Sequence, residues 1–206
     1  MIMETLNKTC KRCSKEKPLD LFVKHRVSRH GRGSWCLSCF NTYMKQRIRE
    51  RQEIIDQHKS KPCVDCQLTF HPVSMDFDHV RGSKLKEVSR LLTYSLERFL
   101  GEIAKCEVVC ACCHRIRTRA ISVSVDPKYL AFQARLLPVK TKPCLDCGSA
   151  FPPEAMDFDH VRDLKVRDIS QMSLAPWVKV EREIAKCDLV CANCHRLRTQ
   201  ARKEAA

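Results

Sequence analysis

The chain has 206 residues, a formal net charge of +14 and 15 cysteines. The excess of lysine and arginine favours a polyanionic partner, with nucleic acid as the leading candidate and a membrane surface as the weaker one. No apolar run reaches the roughly 18 residues that a membrane span needs, and the N-terminus lacks the apolar stretch of a signal peptide. We therefore expect a cytoplasmic protein with reduced thiols and no membrane partner.

Most of the cysteines form pairs separated by two residues, a spacing that presents two thiolates to one tetrahedral zinc ion. The pairs combine into three sets of four: Cys10, Cys13, Cys36 and Cys39; Cys63, Cys66, Cys110 and Cys113; and Cys144, Cys147, Cys191 and Cys194. Four thiolates complete a tetrahedral site and leave no open position for a substrate. We therefore predict three structural zinc sites.

Residues 1–40 contain the first set of four cysteines, in the proportions of a zinc ribbon. No Asp-His pair occurs in this region, so it is interpreted as a module that positions DNA or as a purely structural cap. Residues 41–60 are rich in charge and carry Ile48, Ile54 and Ile55, which predicts a connecting helix.

The strongest organisational signal is an internal repeat. Residues 61–120 align with residues 142–201 at a shift of 81 positions without a gap, and about half of the 60 aligned positions are identical. The segments 85–101 and 166–182 differ most between the copies. A duplication that retains metal-ligand residue types elsewhere predicts two tandem modules of one kind.

Residues 121–141 are predicted to form a helical linker between the two modules. Asp126-Pro127 is an N-terminal helix signal, and apolar residues follow at helical spacing. Pro138 is predicted to end this helix, because proline cannot donate the backbone hydrogen bond that continues it.

Each repeat also carries an Asp-His pair between its cysteine pairs. In the first repeat, Met75–Asp78 alternates apolar and polar residues like a half-buried strand, and places Asp78 and His79 at the strand end. His114 follows the last zinc cysteine directly, in the first turn of a predicted helix. Asp78 and His114 could together bind a divalent ion that keeps open positions for water and phosphate oxygens.

His79 is then available as a general base, because imidazole can take a proton from water near neutral pH. The same residue types recur in the second repeat as Asp159, His160 and His195. An isolated Asp-His pair also occurs in metal-free cores and turns, so this interpretation depends on the whole set and on its repetition.

The pattern Cys-x-x-Cys, Asp-x-Asp-His, Cys-x-x-Cys-His resembles the HNH endonucleases with a ββα-metal core, especially the zinc-stapled branch that includes phage recombination endonuclease VII. The resemblance covers both repeats and implies an α+β fold of two tandem HNH modules, here preceded by the zinc ribbon. It implies a catalytic magnesium or manganese ion, up to two per chain, bound by Asp78, His114, Asp159 and His195. It also implies that His79 and His160 activate the water, in a bacterial or phage-infected cell.

The repeats depart from the family pattern at its middle asparagine, which helps to hold the loop that orients the base. Lys105 and Lys186 occupy that position, and we interpret them as a different support for the loop or as phosphate contacts. Asp76 and Asp157 recur one residue before the strand's phenylalanine, and would either assist the metal or bond the neighbouring loop.

Basic residues near each Asp-His pair are candidate contacts to phosphate: Arg81, Lys84, Arg115, Arg117, Arg162, Lys165, Arg196 and Arg198. Together these features predict a metal-dependent endonuclease that hydrolyses double-stranded or branched DNA, with the two modules acting as a pseudo-dimer in one chain. The alternatives are a non-catalytic zinc-finger protein that binds DNA, and a structure-specific RNA nuclease.

Overall fold

A computed structural model describes residues 6–28, 30–121 and 126–205 of the chain. The fold is α+β, with two-stranded antiparallel sheets and helices of 8 to 23 residues. The chain divides into two compact units. The first comprises the chain up to Ile55 together with Leu85–Glu102, and the second comprises Asp56–Lys84 together with the chain from Ile103 onward.

The first unit is built around the N-terminal cysteines. Its strands are β1 (Asn7–Thr9), β2 (Glu16–Pro18), β3 (Phe22–Lys24) and β4 (Arg32–Cys36). The first two strands pair with each other, as do the last two, and Phe22 is fully buried against Cys10 and Cys36. The small sheets thus enclose one cysteine cluster, as a zinc ribbon requires.

Helix α1 (Leu37–Lys59) begins directly after β4 and includes the last cysteine of that cluster. The predicted helix over 41–60 is therefore present and starts four residues earlier. Within the first unit, the Arg51 guanidinium donates to the carbonyl of Leu92 at 2.8 Å and lies over the ring of Phe99. Residues 85–102 contain all of α2 (Leu96–Ile103) except its last residue and belong to this unit, although the sequence places them inside the first repeat.

Each repeat contains one β-hairpin followed by a helix. The first has β5 (Met75–His79), β6 (Cys106–Cys110) and α3 (Ala111–Ile121); the second has β7 (Met156–His160), α5 (Trp177–Ile184), β8 (Cys187–Cys191) and α6 (Ala192–Glu204). The hairpins share one register, in which Asp78 faces Glu107 and Asp159 faces Asp188. The helix starts where the second strand ends, so the second cysteine pair of each repeat connects the hairpin to the helix.

Helix α4 (Pro127–Lys140) occupies the predicted linker, and the Asp126 side chain accepts a hydrogen bond from the Lys128 amide as its N-cap. The prediction that Pro138 ends this helix is wrong, since the helix continues to Lys140. Proline removes only its own amide donor, and the buried side chain of Leu136 anchors the last turn. The Thr141 amide closes that turn on the Leu137 carbonyl.

The two repeats pack directly against each other within the second unit. Met75, Val109, Met156 and Val190 are fully buried in a core to which both hairpins and both zinc-ligand pairs contribute. The Ser74 hydroxyl donates to the Asn193 carbonyl at 2.9 Å across this boundary. The repeats therefore share a hydrophobic core instead of forming separate ones.

Candidate metal centres and acid-base site

The three predicted cysteine sets are each brought together. In every set the four sulfur atoms lie within 4.8 Å of one another. Four sulfurs about 2.3 Å from one zinc ion would lie about 3.8 Å apart, so each cluster could hold a structural zinc ion. These are the sets headed by Cys10, Cys63 and Cys144.

The first cysteine of each cluster begins a turn of one shape. The amide four residues later donates to its carbonyl at 2.9 Å, from Ser14, Gln67 and Gly148 respectively. These residues have φ of 56°, 59° and 68°, the left-handed region that glycine adopts without steric cost. The cysteine sulfur also accepts an amide hydrogen bond, for example Cys63 Sγ from Cys110 at 3.2 Å.

In the first repeat, the predicted metal ligands Asp78 and His114 lie side by side. His114 Nε2 is 3.6 Å from Asp78 Oδ1. Two atoms that each lie about 2.1 Å from one octahedral ion are roughly 3 Å apart when adjacent and about 4.2 Å apart when opposite. The separation and the oxygen-nitrogen donor pair therefore fit a shared divalent ion.

Asp76 contacts His114 through the other ring nitrogen, on the side of the imidazole away from Asp78. His114 Nδ1 is 2.9 Å from Asp76 Oδ2, so the imidazole lies between the two aspartates. This contact raises the pKa of His114. Burial would raise the pKa of Asp76, but hydrogen bonds from His114 and Arg196 outweigh it and lower the pKa to about 2.

The second repeat reproduces this arrangement. His195 Nδ1 is 2.8 Å from Asp157 Oδ2, and His195 Nε2 is 3.4 Å from Asp159 Oδ1. Its aspartate is more crowded, however, because Arg202 binds both oxygens of Asp159 at 2.9 and 2.7 Å. The Asp159 side chain is 3% exposed, compared with 20% for Asp78.

The predicted general bases end the first strand of each hairpin. His79 and His160 stand one residue beyond Asp78 and Asp159, the predicted metal ligands, in β5 and β7. His160 Nε2 is 3.0 Å from Glu183 Oε1, and this carboxylate is buried. Glu183 also accepts from the Val166 amide at 2.9 Å, which fixes the loop after His160 to the same carboxylate.

Lys105 and Lys186, which stand at the position of the middle asparagine in the HNH pattern, support the loop that follows each predicted base. Lys105 Nζ donates to the Ser83 carbonyl at 2.8 Å, and Lys186 Nζ donates to the Leu164 carbonyl at 3.0 Å. Their backbone carbonyls accept from the two amides after each base, such as those of Val161 and Arg162. This geometry matches the loop-support interpretation; contact with phosphate stays a prediction.

Most of the candidate phosphate contacts pair with acidic side chains. Arg117 reaches Asp65, Asp78 and Glu107, and Arg198 makes the equivalent contacts in the second repeat. Further pairs are Arg81–Glu107, Arg162–Asp188, Lys165–Asp168, Arg115–Asp157 and Arg196–Asp76. Lys84 also has an interaction partner. Their role toward nucleic acid stays a prediction.

An open cleft of about 640 Å³ lies beside the first site. It is lined by Asp76 and His114 together with basic and aromatic side chains, including Arg119 and Tyr129. His114 is 35% exposed, so the imidazole is accessible from this cleft. The cleft thus reaches the side of His114 that contacts Asp76, and Asp78 and His79 are not among its lining residues.

Sequence reasoning missed the buried glutamates and Arg202. Glu183 and its counterpart Glu102 are both buried, and Glu102 accepts from the Leu85 amide as Glu183 does from Val166. Their identity in both repeats is a signal that could have found them. Arg202 lies beyond the aligned repeat, so comparison of the copies could not reveal it.

Comparison of the chain with protein-family models, with curated proteins and with solved structures finds no match. In the part of the chain that the structure describes, no helix combines the length and apolarity needed to cross a bilayer.

Proposed function

We propose that the protein is a metal-dependent endonuclease that hydrolyses phosphodiester bonds of DNA. One observation carries the proposal: an aspartate, a histidine from the following helix and a second histidine at the strand end occur together twice, in one register. The resemblance to zinc-stapled HNH nucleases and the net charge of +14 support it.

In the first site, Asp78 and His114 would hold magnesium or manganese. A divalent ion supplies Lewis-acid stabilisation of the charge that develops on phosphate oxygens. The protein's own contribution is the alignment of the two ligands, which the hairpin and the zinc-anchored helix fix from opposite sides. The side chains leave the rest of the coordination shell to water and substrate.

His79 and His160 take the proton from the attacking water. Glu183 holds His160 through Nε2, which leaves Nδ1 for the proton transfer and orients the ring. Lys186 keeps the following loop in place. Two such sites in one chain could nick both strands of a duplex or symmetric arms of a branched junction.

The decisive experiment measures nicking of supercoiled plasmid with magnesium or manganese. We expect cutting by the wild type, and a loss of roughly 10²- to 10⁴-fold in the His79→Ala/His160→Ala double variant, the usual contribution of a general base. His71→Ala is the matched control, because His71 is exposed and contacts only its own turn through the Val73 amide.

Absence of cutting by the wild type would contradict the proposal, and DNA binding without cutting would favour a non-catalytic zinc protein. Running duplex DNA, a four-way junction and structured RNA in parallel separates DNA from RNA hydrolysis, since the same reaction chemistry serves both.

A further inference from the structure

We infer that Arg196 and Arg115 are positioning residues that act across the repeats, each orienting the metal-site histidine of the other repeat. The inference rests on the proposed nuclease function, and deepens it by making each site dependent on both copies of the module.

The first site shows the chain of contacts. Arg196, in the helix of the second repeat, donates to both oxygens of Asp76 at 2.5 and 2.7 Å. Asp76 in turn contacts His114 Nδ1 at 2.9 Å. A bidentate arginine fixes a carboxylate in plane and in direction, so Arg196 determines where Asp76 presents its hydrogen bond to the imidazole.

The second site has the same series of contacts, with the arginine now supplied by the first repeat. Arg115 of the first repeat binds Asp157, and Asp157 contacts His195 Nδ1 at 2.8 Å. Arg115 and Arg196 are equivalent under the 81-residue shift, as are Asp76 and Asp157. The crossed arrangement is therefore present twice.

The consequence concerns the nitrogen on the other side of the ring. A histidine that binds a metal usually donates its second N–H to a carboxylate, which fixes the tautomer and the ring orientation. With Nδ1–H held by Asp76, His114 presents Nε2 as a lone-pair donor toward Asp78. The side chains of Asp76 and Asp157 are 17% and 16% exposed. Solvent therefore screens their contacts with the histidines only partly.

Other residues also contribute contacts between the repeats. Ser74 and Asn193 bond across the same boundary, and the Cys112 amide donates to Asn193 Oδ1 at 3.2 Å. None of these contacts reaches a metal-site histidine. Ser74→Ala therefore removes a contact between the repeats and leaves both arginine-aspartate-histidine series intact. Alanine is also the natural residue at the equivalent position, Ala155.

The first test measures plasmid cutting in a His160→Ala background, in which only the first site can act. Arg196→Ala is expected to lower kcat by about 10- to 100-fold, the usual cost of losing such an outer contact, with KM little changed. Ser74→Ala is expected to cut like its parent. A rise in KM alone would identify Arg196 as a phosphate contact and overturn the inference.

The second test needs no activity. ¹⁵N NMR of the imidazole rings, recorded on the zinc-loaded full chain without magnesium, reports the tautomer of each histidine. We expect Arg196→Ala to shift the His114 nitrogens and leave those of His195 unchanged, and Arg115→Ala to do the reverse.

The inference would be overturned if Arg196→Ala shifted only His195, its neighbour in sequence, and Arg115→Ala shifted only His114. Equal shifts of both histidines in each variant would overturn it as well. If no variant or parent cuts DNA, the proposed nuclease function fails, while the NMR result still decides whether the arginines act across the repeats. The two failures are thus distinguishable.

Discussion

Asp78 and Asp159 are equivalent residues in different surroundings. Both accept a hydrogen bond from an arginine in the second turn of the following helix, Arg117 or Arg198, at 2.9 and 3.0 Å. Only Asp159 is also clamped by Arg202, which belongs to the last turn of α6. The equivalent position in the first repeat is Ile121, a residue type that cannot form an ion pair. A guanidinium and a metal ion would compete for the same oxygens of Asp159.

We expect Arg202→Ala to strengthen binding of Mn²⁺ at the second site by about tenfold, because the carboxylate oxygens become available to the ion. Electron paramagnetic resonance of Mn²⁺ titrations in an Asp78→Ala background isolates this site. Lys203→Ala is the matched control, since it removes the same charge from the adjacent residue. Equal gains from both variants would show a general charge effect instead of release of Asp159.

The grouping of the cysteines could be predicted because local spacing determines it. The spacing of two residues within each cysteine pair places both thiols on one turn, whatever the rest of the fold. A histidine directly after the last cysteine lies on the same turn. The pairing of Arg196 with Asp76 could not be predicted, because 120 residues separate them and the contact depends on how two folded repeats dock. Basic residues near a site were therefore expected to face phosphate, whereas the structure pairs most of them with carboxylates.

At the level of elements, the hairpin of the second repeat is bonded to a helix from the variable segment between its strands. In the second repeat, Glu183 on α5 joins His160 of β7, the Val166 amide of the loop and Lys186. The sequence predicted the hairpin strand from its alternation and the two long helices from their charge and N-cap. It did not predict α5, because this helix lies where the two copies differ.

Glu183→Gln is expected to destabilise the protein by about 1–3 kcal/mol at neutral pH, as for loss of a buried polar partner. The hydrogen bond from Lys186 lowers the pKa of Glu183 to about 2, although burial raises it. A lowered pKa contributes stability that is complete above the pKa of the unfolded chain, about 4.3, and is lost as pH falls toward 2. Urea unfolding at pH 7 with zinc present measures the change.

Glu181→Gln provides the comparison, since Glu181 is exposed on the same helix. An equal loss of unfolding free energy in both variants would mean that helix α5 loses stability for a reason other than its bonds to His160 and Lys186.

At the level of the whole molecule, the second unit is held together by contacts between its two repeats. Met75 and Met156 are fully buried in the shared core, and the arginine-aspartate pairs flank it. Neither repeat could bury these side chains alone. The repeats are thus expected to behave as one cooperative structure, although the sequence shows them as separate modules.

A protease site introduced between residues 122 and 125 tests this expectation. After cleavage, we expect the two fragments to elute together in size-exclusion chromatography and to unfold in one transition, because the shared core and the crossed ion pairs persist without a covalent link. Elution as two separate species would contradict a shared core.

The contacts between the repeats also bear on how the protein evolves. Arg115 with Asp157 and Arg196 with Asp76 are reciprocal, as in an isologous dimer of identical subunits. The bonds around Asn193 are not, since its equivalent is Cys112 and the equivalent of Ser74 is Ala155. Identical subunits would have to place the same residue on both sides of the axis. Once both copies are encoded in one gene, each side can change alone, and this interface already carries one-sided contacts from Ser74 and Asn193 that identical subunits could not restrict to one side.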